Sequence, residues 1–182
     1  MISKISELMY HEHEVILEEI QLAKALDKSW EKSTEDYESN LKWLIAFFKE
    51  YADRFHHYKE EEVLFPVLMK SGEPSIISVI NELLEHHEDF RDLVKEIYAD
   101  VEAKNYEEAQ RKLNNYCHDL IDHIAAENEE LFPMMDTLLN DDDLEKLYYQ
   151  CLDKDNELGM SRKEELENFI KNFNYKQDEI IR

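Results

Sequence analysis

A chain of 182 residues with 36% charged and 43% hydrophobic residues is long enough to bury one core, and its formal net charge of −23 opposes nucleic-acid binding, which needs a basic surface. The same charge opposes an anionic membrane surface. With no apolar run long enough to span a bilayer and no start resembling a signal peptide, a cytoplasmic protein is expected.

Only 2 Gly and 3 Pro punctuate the chain, and apolar residues recur at helical spacing, which predicts an all-α fold. Helix one is expected from about Ser3 to Asp27, with Ile5, Met9, Ile16, Ile20 and Ala23 on one face. The polar stretch from Lys28 to Glu35 reads as a loop. Helix two runs to about Met69 behind the stripe Leu41, Ile45, Phe48 and Ala52, and Ser71 to Pro74 breaks the chain. Helix three spans about Ser75 to Ala103. Helix four, with Asn105 as its cap, carries Ala109, Leu113, Tyr116 and Leu120 and ends near Pro133. Asn140 to Asp143 forms an acidic turn, followed by a short helix and another beginning at the capping-box pattern of Ser161 and Glu164. Two cysteines, Cys117 and Cys151, are too few for a disulfide framework, and Cys117 reads as a small buried apolar residue.

Two stretches nearly repeat each other: His56-x-x-x-Glu60 and His123-x-x-x-Glu127, with each glutamate six residues before the proline of a Leu-Phe-Pro. Residues four apart share a helix face, so each pair can converge on one ion. Glu12-His13-Glu14 on helix one resembles His87-Glu88 on helix three, which makes two similar helical hairpins. The expected architecture is an antiparallel up-down four-helix bundle over residues 1–138. Residues 139–182 form a helical extension packed on it as a lid or brace, with a homodimer through that tail as an open option.

The chain has 8 His, and periodicity sorts them. His56 and Glu60 extend the apolar stripe of helix two, whereas His57 follows Glu50 and Asp53, so His57 with Glu61 reads as a solvated pair. His123 and Glu127 continue Tyr116 and Leu120, and His13 lies with Met9, Ile16 and Ile20. His86 and His87 both fall on apolar faces; the match between the two halves favours His87. His118 lies on another face. Four imidazoles and two carboxylates in one interior call for a cation, because an unpaired buried carboxylate costs several kcal/mol. Imidazole with bridging carboxylate suits paired iron or manganese, and structural zinc sites are closed and four-coordinate. Acid-x-x-His occurs on helices two and four only at Asp53 and His56, unlike a ferritin-like site.

These residues resemble the hemerythrin-like, His-His-Glu (HHE) cation-binding domain family: His13 in Glu-His-Glu, His56 and Glu60 before Val-Leu-Phe-Pro, His87 followed by Arg91, and His123 and Glu127 before Leu-Phe-Pro. The resemblance covers about residues 5–136. It implies a four-helix bundle with an oxo- or hydroxo-bridged diiron centre, manganese or zinc being the alternative metals. His13, His56, His87 and His123 would be terminal ligands, and Glu60 and Glu127 would bridge. The implied role is binding or sensing dioxygen, nitric oxide, peroxide or iron. Alternatives are a diiron oxidoreductase acting on peroxide or nitric oxide, with Tyr10, Tyr58 and Tyr116 as candidate redox side chains, and a metal-stabilised interaction module. The oxygen-carrying hemerythrins add a fifth histidine one turn away on helix three. Here His86 and His87 are adjacent instead, about 100° apart. The chain also starts directly with helix one, without the cysteine-bearing segment of members that repair iron–sulfur clusters.

Overall fold

The computed structural model describes residues 2–169, which are helical throughout apart from short connections. Helix α1 (Lys4–Ala25) is capped by the Ser3 hydroxyl, which accepts from the Ser6 N–H. The second rod starts as α2 (Thr34–Phe47), continues as π-helix over Phe48–His57 and Glu60–Leu64, and ends as α3 (Phe65–Met69). Gly72, at φ 72°, supports the turn into α4 (Pro74–Glu102). The fourth rod is α5 (Tyr106–Ala126), a π-helical turn over Glu127–Leu131, and α6 (Phe132–Leu138). Short connections between packed rods give the antiparallel four-helix bundle that the sequence predicts.

The repeated Leu-Phe-Pro encodes a local geometry. Proline has no N–H and its ring crowds the carbonyl four residues back, at Glu62 for Pro66 and Glu129 for Pro133. In both copies the preceding phenylalanine N–H reaches one residue further, Phe65 to the Glu60 carbonyl and Phe132 to the Glu127 carbonyl. Both repeated glutamates therefore open a π-turn, a geometry frequent at functional sites. The fourth rod also runs past Pro133 to Leu138, beyond the end expected from sequence.

The tail differs from its expected form. Asn140 caps a long helix, α7 (Asp141–Leu158), and its side chain accepts from the Asp143 N–H. Gly159 at φ 114° ends α7, and residues 160–169 are helical, so Ser161 lies inside that helix instead of capping it. The remainder of the expected extension, 170–182, lies outside the described residues. α7 packs on α1 and on the π-helical part of the second rod.

The interior is divided into two apolar blocks. One gathers Ile16, Ile20, Leu41, Ile45, Phe48, Leu113, Tyr116 and Leu120. The other gathers Ile5, Met9, Val63, Leu68, Ile80, Leu83, Leu131 and Phe132. Each fully buried side chain of this size contributes roughly 1.5–3 kcal/mol, so two such blocks can hold a costly polar layer closed between them. On the first three rods the break between blocks falls at a histidine, His13 between Met9 and Val15, His56 between Phe55 and Val63, and His87 between Leu83 and Phe90; on the fourth it falls between Ile124 and Leu131, at Glu127.

Candidate metal centre

Six residues singled out from the sequence meet in that layer. His13, His56, Glu60, His87, His123 and Glu127 are each 1% exposed or less. Both carboxylates span between histidine pairs. Glu60 places one oxygen 3.5 Å from His56 Nε2 and the other 3.5 Å from His87 Nε2. Glu127 does the same, 3.1 Å from His13 Nε2 and 3.3 Å from His123 Nε2. The imidazoles face each other, with Nε2 atoms 2.8 Å apart for His13 and His56 and 3.2 Å apart for His87 and His123. Neighbouring donors at about 2.1 Å from one shared ion stand about 3 Å apart, so these spacings suit convergence on a cation.

A seventh residue joins them. His57, read from sequence as solvated, is 1% exposed, and its ring lies on that of His87. The cause is the π-helix over Phe48–His57: its wider turn carries His57, as well as His56, to the interior, where an α-helical period would separate them by about 100°. Glu61, its expected surface partner, instead accepts from His87 Nδ1 at 2.8 Å. The long π-helix over Phe48–His57 was what the helical periodicity did not show. Two sets of donors result, His13, His56, Glu60 and Glu127 in one and His57, Glu60, His87 and His123 in the other, with Glu60 common to both.

The outer nitrogens have partners that fix which ring nitrogen carries the proton. His56 Nδ1 donates to Glu12 at 2.9 Å and His13 Nδ1 to the Asn128 side-chain oxygen at 2.7 Å. His123 Nδ1 lies 3.4 Å from His86 Nδ1, which places the half-buried His86 behind the layer. The oxygen acceptors at His13, His56 and His87 leave Nε2 of each with a lone pair directed inward. Asn128 goes unnoticed in sequence because it reads as an ordinary polar helix residue, while Glu12 reads only as a neighbour of His13 and Glu61 only as a surface partner of His57.

Burial, and then the adjacent Glu127, push the Glu60 carboxyl well above the usual carboxylate range. Burial opposes ionisation of Glu127 as well, yet its contacts with His123 and His13 hold it well below that range. Burial and His13 push His56 down to about 4, and burial with His87 holds His57 well below the usual imidazole range. All four oxygens of Glu60 and Glu127 and both nitrogens of His57 are buried without a hydrogen-bond partner among the described residues. Unpaired buried acceptors of this kind are rare and costly. Neutral imidazoles and carboxylates presented together are the donor set that a divalent first-row ion takes, so the residues fit a metal pair.

A cleft of about 320 Å³ reaches His57, with Ile45, Phe48, Phe90, Val94 and Tyr116 on its apolar walls and Lys49, Asp53, Arg91 and Lys95 also lining it. Tyr116 is buried there against Phe48 and Phe90, while Tyr10 donates to the Asn128 carbonyl and Tyr58 is half-buried. His118 is exposed beside Asp119 and Asp122, and Cys117 and Cys151 are buried free thiols. No helix among the described residues is long and apolar enough to cross a membrane.

A family model described as the hemerythrin HHE cation binding domain matches residues 4–135. Searches of curated proteins and of solved structures returned no match.

Proposed function

The chain belongs to the hemerythrin HHE cation-binding family, and from that premise we propose that it holds a pair of iron ions and uses them to bind or sense a small ligand such as dioxygen or nitric oxide. The observation that carries this reading is the pair of carboxylates, Glu60 and Glu127, each spanning two histidines with oxygens that have no other partner. His13 and His56 would serve one ion; His57, His87 and His123 the other. Bound iron would supply redox chemistry and coordination positions for a small ligand. The protein would supply neutral imidazoles in a buried layer held between two apolar blocks.

The unequal nitrogen supply supports ligand binding over a purely structural metal. Two histidines on one side and three on the other leave the two positions unlike, and the side with fewer donors has more room for an exogenous ligand. This gives a five-histidine set whose fifth member comes from the second rod rather than from α4.

Metal analysis of protein produced with iron should find about two irons per chain, one for each donor set. The visible spectrum of the iron-loaded protein should change between anaerobic and oxygenated solutions. Less than one iron per chain, unaffected by His56→Ala and His123→Ala, would refute the reading. Sustained turnover of peroxide or nitric oxide by the reduced protein would shift it to an oxidoreductase.

A further inference from the structure

Outside the family match, two residues of the tail reach the back of the metal centre. Asp155 on α7 and Lys163 on the following helix are 0% and 5% exposed. Lys163 donates to Glu12 Oε1 at 2.5 Å and to Asp155 at 2.6 Å. Lys59, wholly buried between the two π-helical segments, also donates to Glu12 Oε1 and reaches Asp155 at 2.9 Å. Two ammonium groups and two carboxylates thus close a ring, and the free oxygen of Glu12 accepts from His56 Nδ1.

Such a cluster is poorly explained as a stabiliser. Buried ion pairs approximately cancel their desolvation cost, and apolar replacements of similar volume are often equal or better. Its position offers another explanation, because the other half of the bundle repeats the device. There His87 Nδ1 donates to Glu61, Glu61 is held by Arg91 at 2.7 Å, and Arg91 is held by Asp53. Each of these two histidines is backed by a carboxylate, a cation and a second carboxylate. For His87 all three belong to the bundle. For His56 one of the two cations and the final carboxylate come from the tail.

We propose that the C-terminal extension is part of the metal centre, with Lys163 and Asp155 as positioning residues that clamp Glu12 and, through it, fix the tautomer and ring orientation of His56. The proposal rests on the metal-binding reading above. Glu12 with both lysines can present only Oε2 to His56, which commits the Nδ1 proton outward and the Nε2 lone pair toward Glu60 and His13. Metal affinity and docking of the tail are then coupled, and by linkage metal binding tightens the tail by the same factor.

The test uses the full chain titrated with ferrous ion without oxygen, followed by the visible spectrum in air. Lys163→Met should weaken binding at the His13/His56 position by about 10–100-fold, the usual effect of losing an outer partner, and alter the spectrum. Arg162→Met should leave both unchanged, because Arg162 ties the same helix to Glu50 without touching Glu12. Glu12→Gln combined with Lys163→Met should bind no more weakly than Glu12→Gln alone, since the lysine acts through Glu12. If Lys163→Met fails to fold by circular dichroism, Asp155→Asn, which spares the Glu12–Lys163 contact, should still weaken binding measurably. Wild-type affinity and spectrum in whichever variant folds, with only a lowered melting temperature, overturn the proposal. A wild-type chain that takes up no metal overturns the functional reading beneath it as well.

Discussion

The imidazole of His57 lies against that of His87, ring centroids 3.9 Å apart and planes 14° from parallel. Stacked aromatic packing alone does not account for His57, because both of its nitrogens are buried and lack a hydrogen-bond partner among the described residues, and Asp53 stands 3.8 Å away, too far for a bond. A phenylalanine would fill the same space without that cost. His57→Phe should therefore fold as well as the wild type or better, while losing the tighter grip of the three-histidine set. In competition with a chelator, iron content should fall from about two per chain toward one, with about 10–100-fold weaker binding at that position. His86→Ala serves as the comparison and should have the smaller effect, since the nitrogen of His86 reaches His123 only at its outer side. Unchanged iron retention in His57→Phe would remove His57 from the ligand set.

The contrast between His56 and His57 shows how far the sequence could be read. Apolar stripes on α2 and α5 follow an α-helical period, so projecting them places His56 and His123 in the interior, where they lie. The same projection sends His57 outward, and it fails because the rod changes to a π-helix just before the site. The four-rod bundle was legible because few glycines and prolines interrupt strong helical periodicity. The Glu12 cluster was not. Its lysines stand 47 and 151 residues from Glu12, no local pattern links them, and composition marks all of them as surface residues.

Glu60 carries two buried oxygens with no hydrogen-bond partner among the described residues, beside a second carboxyl at Glu127. Glu60→Gln gives that space an amide that donates to Glu127 and removes an ionisable group from the interior. The metal-free variant should be more stable than metal-free wild type by about 1–3 kcal/mol in urea unfolding. Metal should reverse the order. Ferrous ion at a hundred times its dissociation constant stabilises a folded protein by about 2.7 kcal/mol, which for a chain of this size raises the wild-type melting temperature by about 5–10 °C. The variant should show a much smaller rise. A Glu60→Gln protein that is less stable without metal, yet responds fully to it, would make Glu60 a structural residue.

Arg91 secures Glu61 behind His87 from a position that is only partly buried, 26% exposed, so its replacement tests the outer support with little risk to the core. Arg91→Met keeps much of the stem's apolar contact and removes the clamp. Because the pair is partly solvated, the cost to metal-free stability should be about 1 kcal/mol or less. Metal affinity at the His87 position should fall about 10-fold or more. Urea unfolding and iron titration of the same preparation separate the two effects. An affinity loss no larger than the stability loss would mean that Arg91 only braces the helices.

Glu19 lies outside the metal layer and supplies a pH dependence of its own. Burial pushes its carboxyl up to about 7, although the Trp43 indole N–H donates to it at 3.0 Å, and its second oxygen has no partner among the described residues. The folded chain therefore holds a proton on Glu19 through a range, from about pH 4.5 to 7, in which the unfolded chain has released it. Because the folded state binds more protons there, stability falls as pH rises through that window. The contribution is fully present below about 4.5, lost by the time pH passes about 7, and flat above. At 1.36 kcal/mol per unit the effect is at most on the order of 3–4 kcal/mol. Glu19→Gln keeps an acceptor for Trp43 and does not ionise. Urea unfolding of the metal-free variant should show this decline removed between pH 5 and 7, with greater stability than wild type at pH 7.5 and little difference at pH 4.5. Tryptophan fluorescence of the folded wild type should titrate in the same window, since the indole bonds the titrating group. Parallel stability profiles for the two proteins would show that Glu19 ionises at its ordinary pKa.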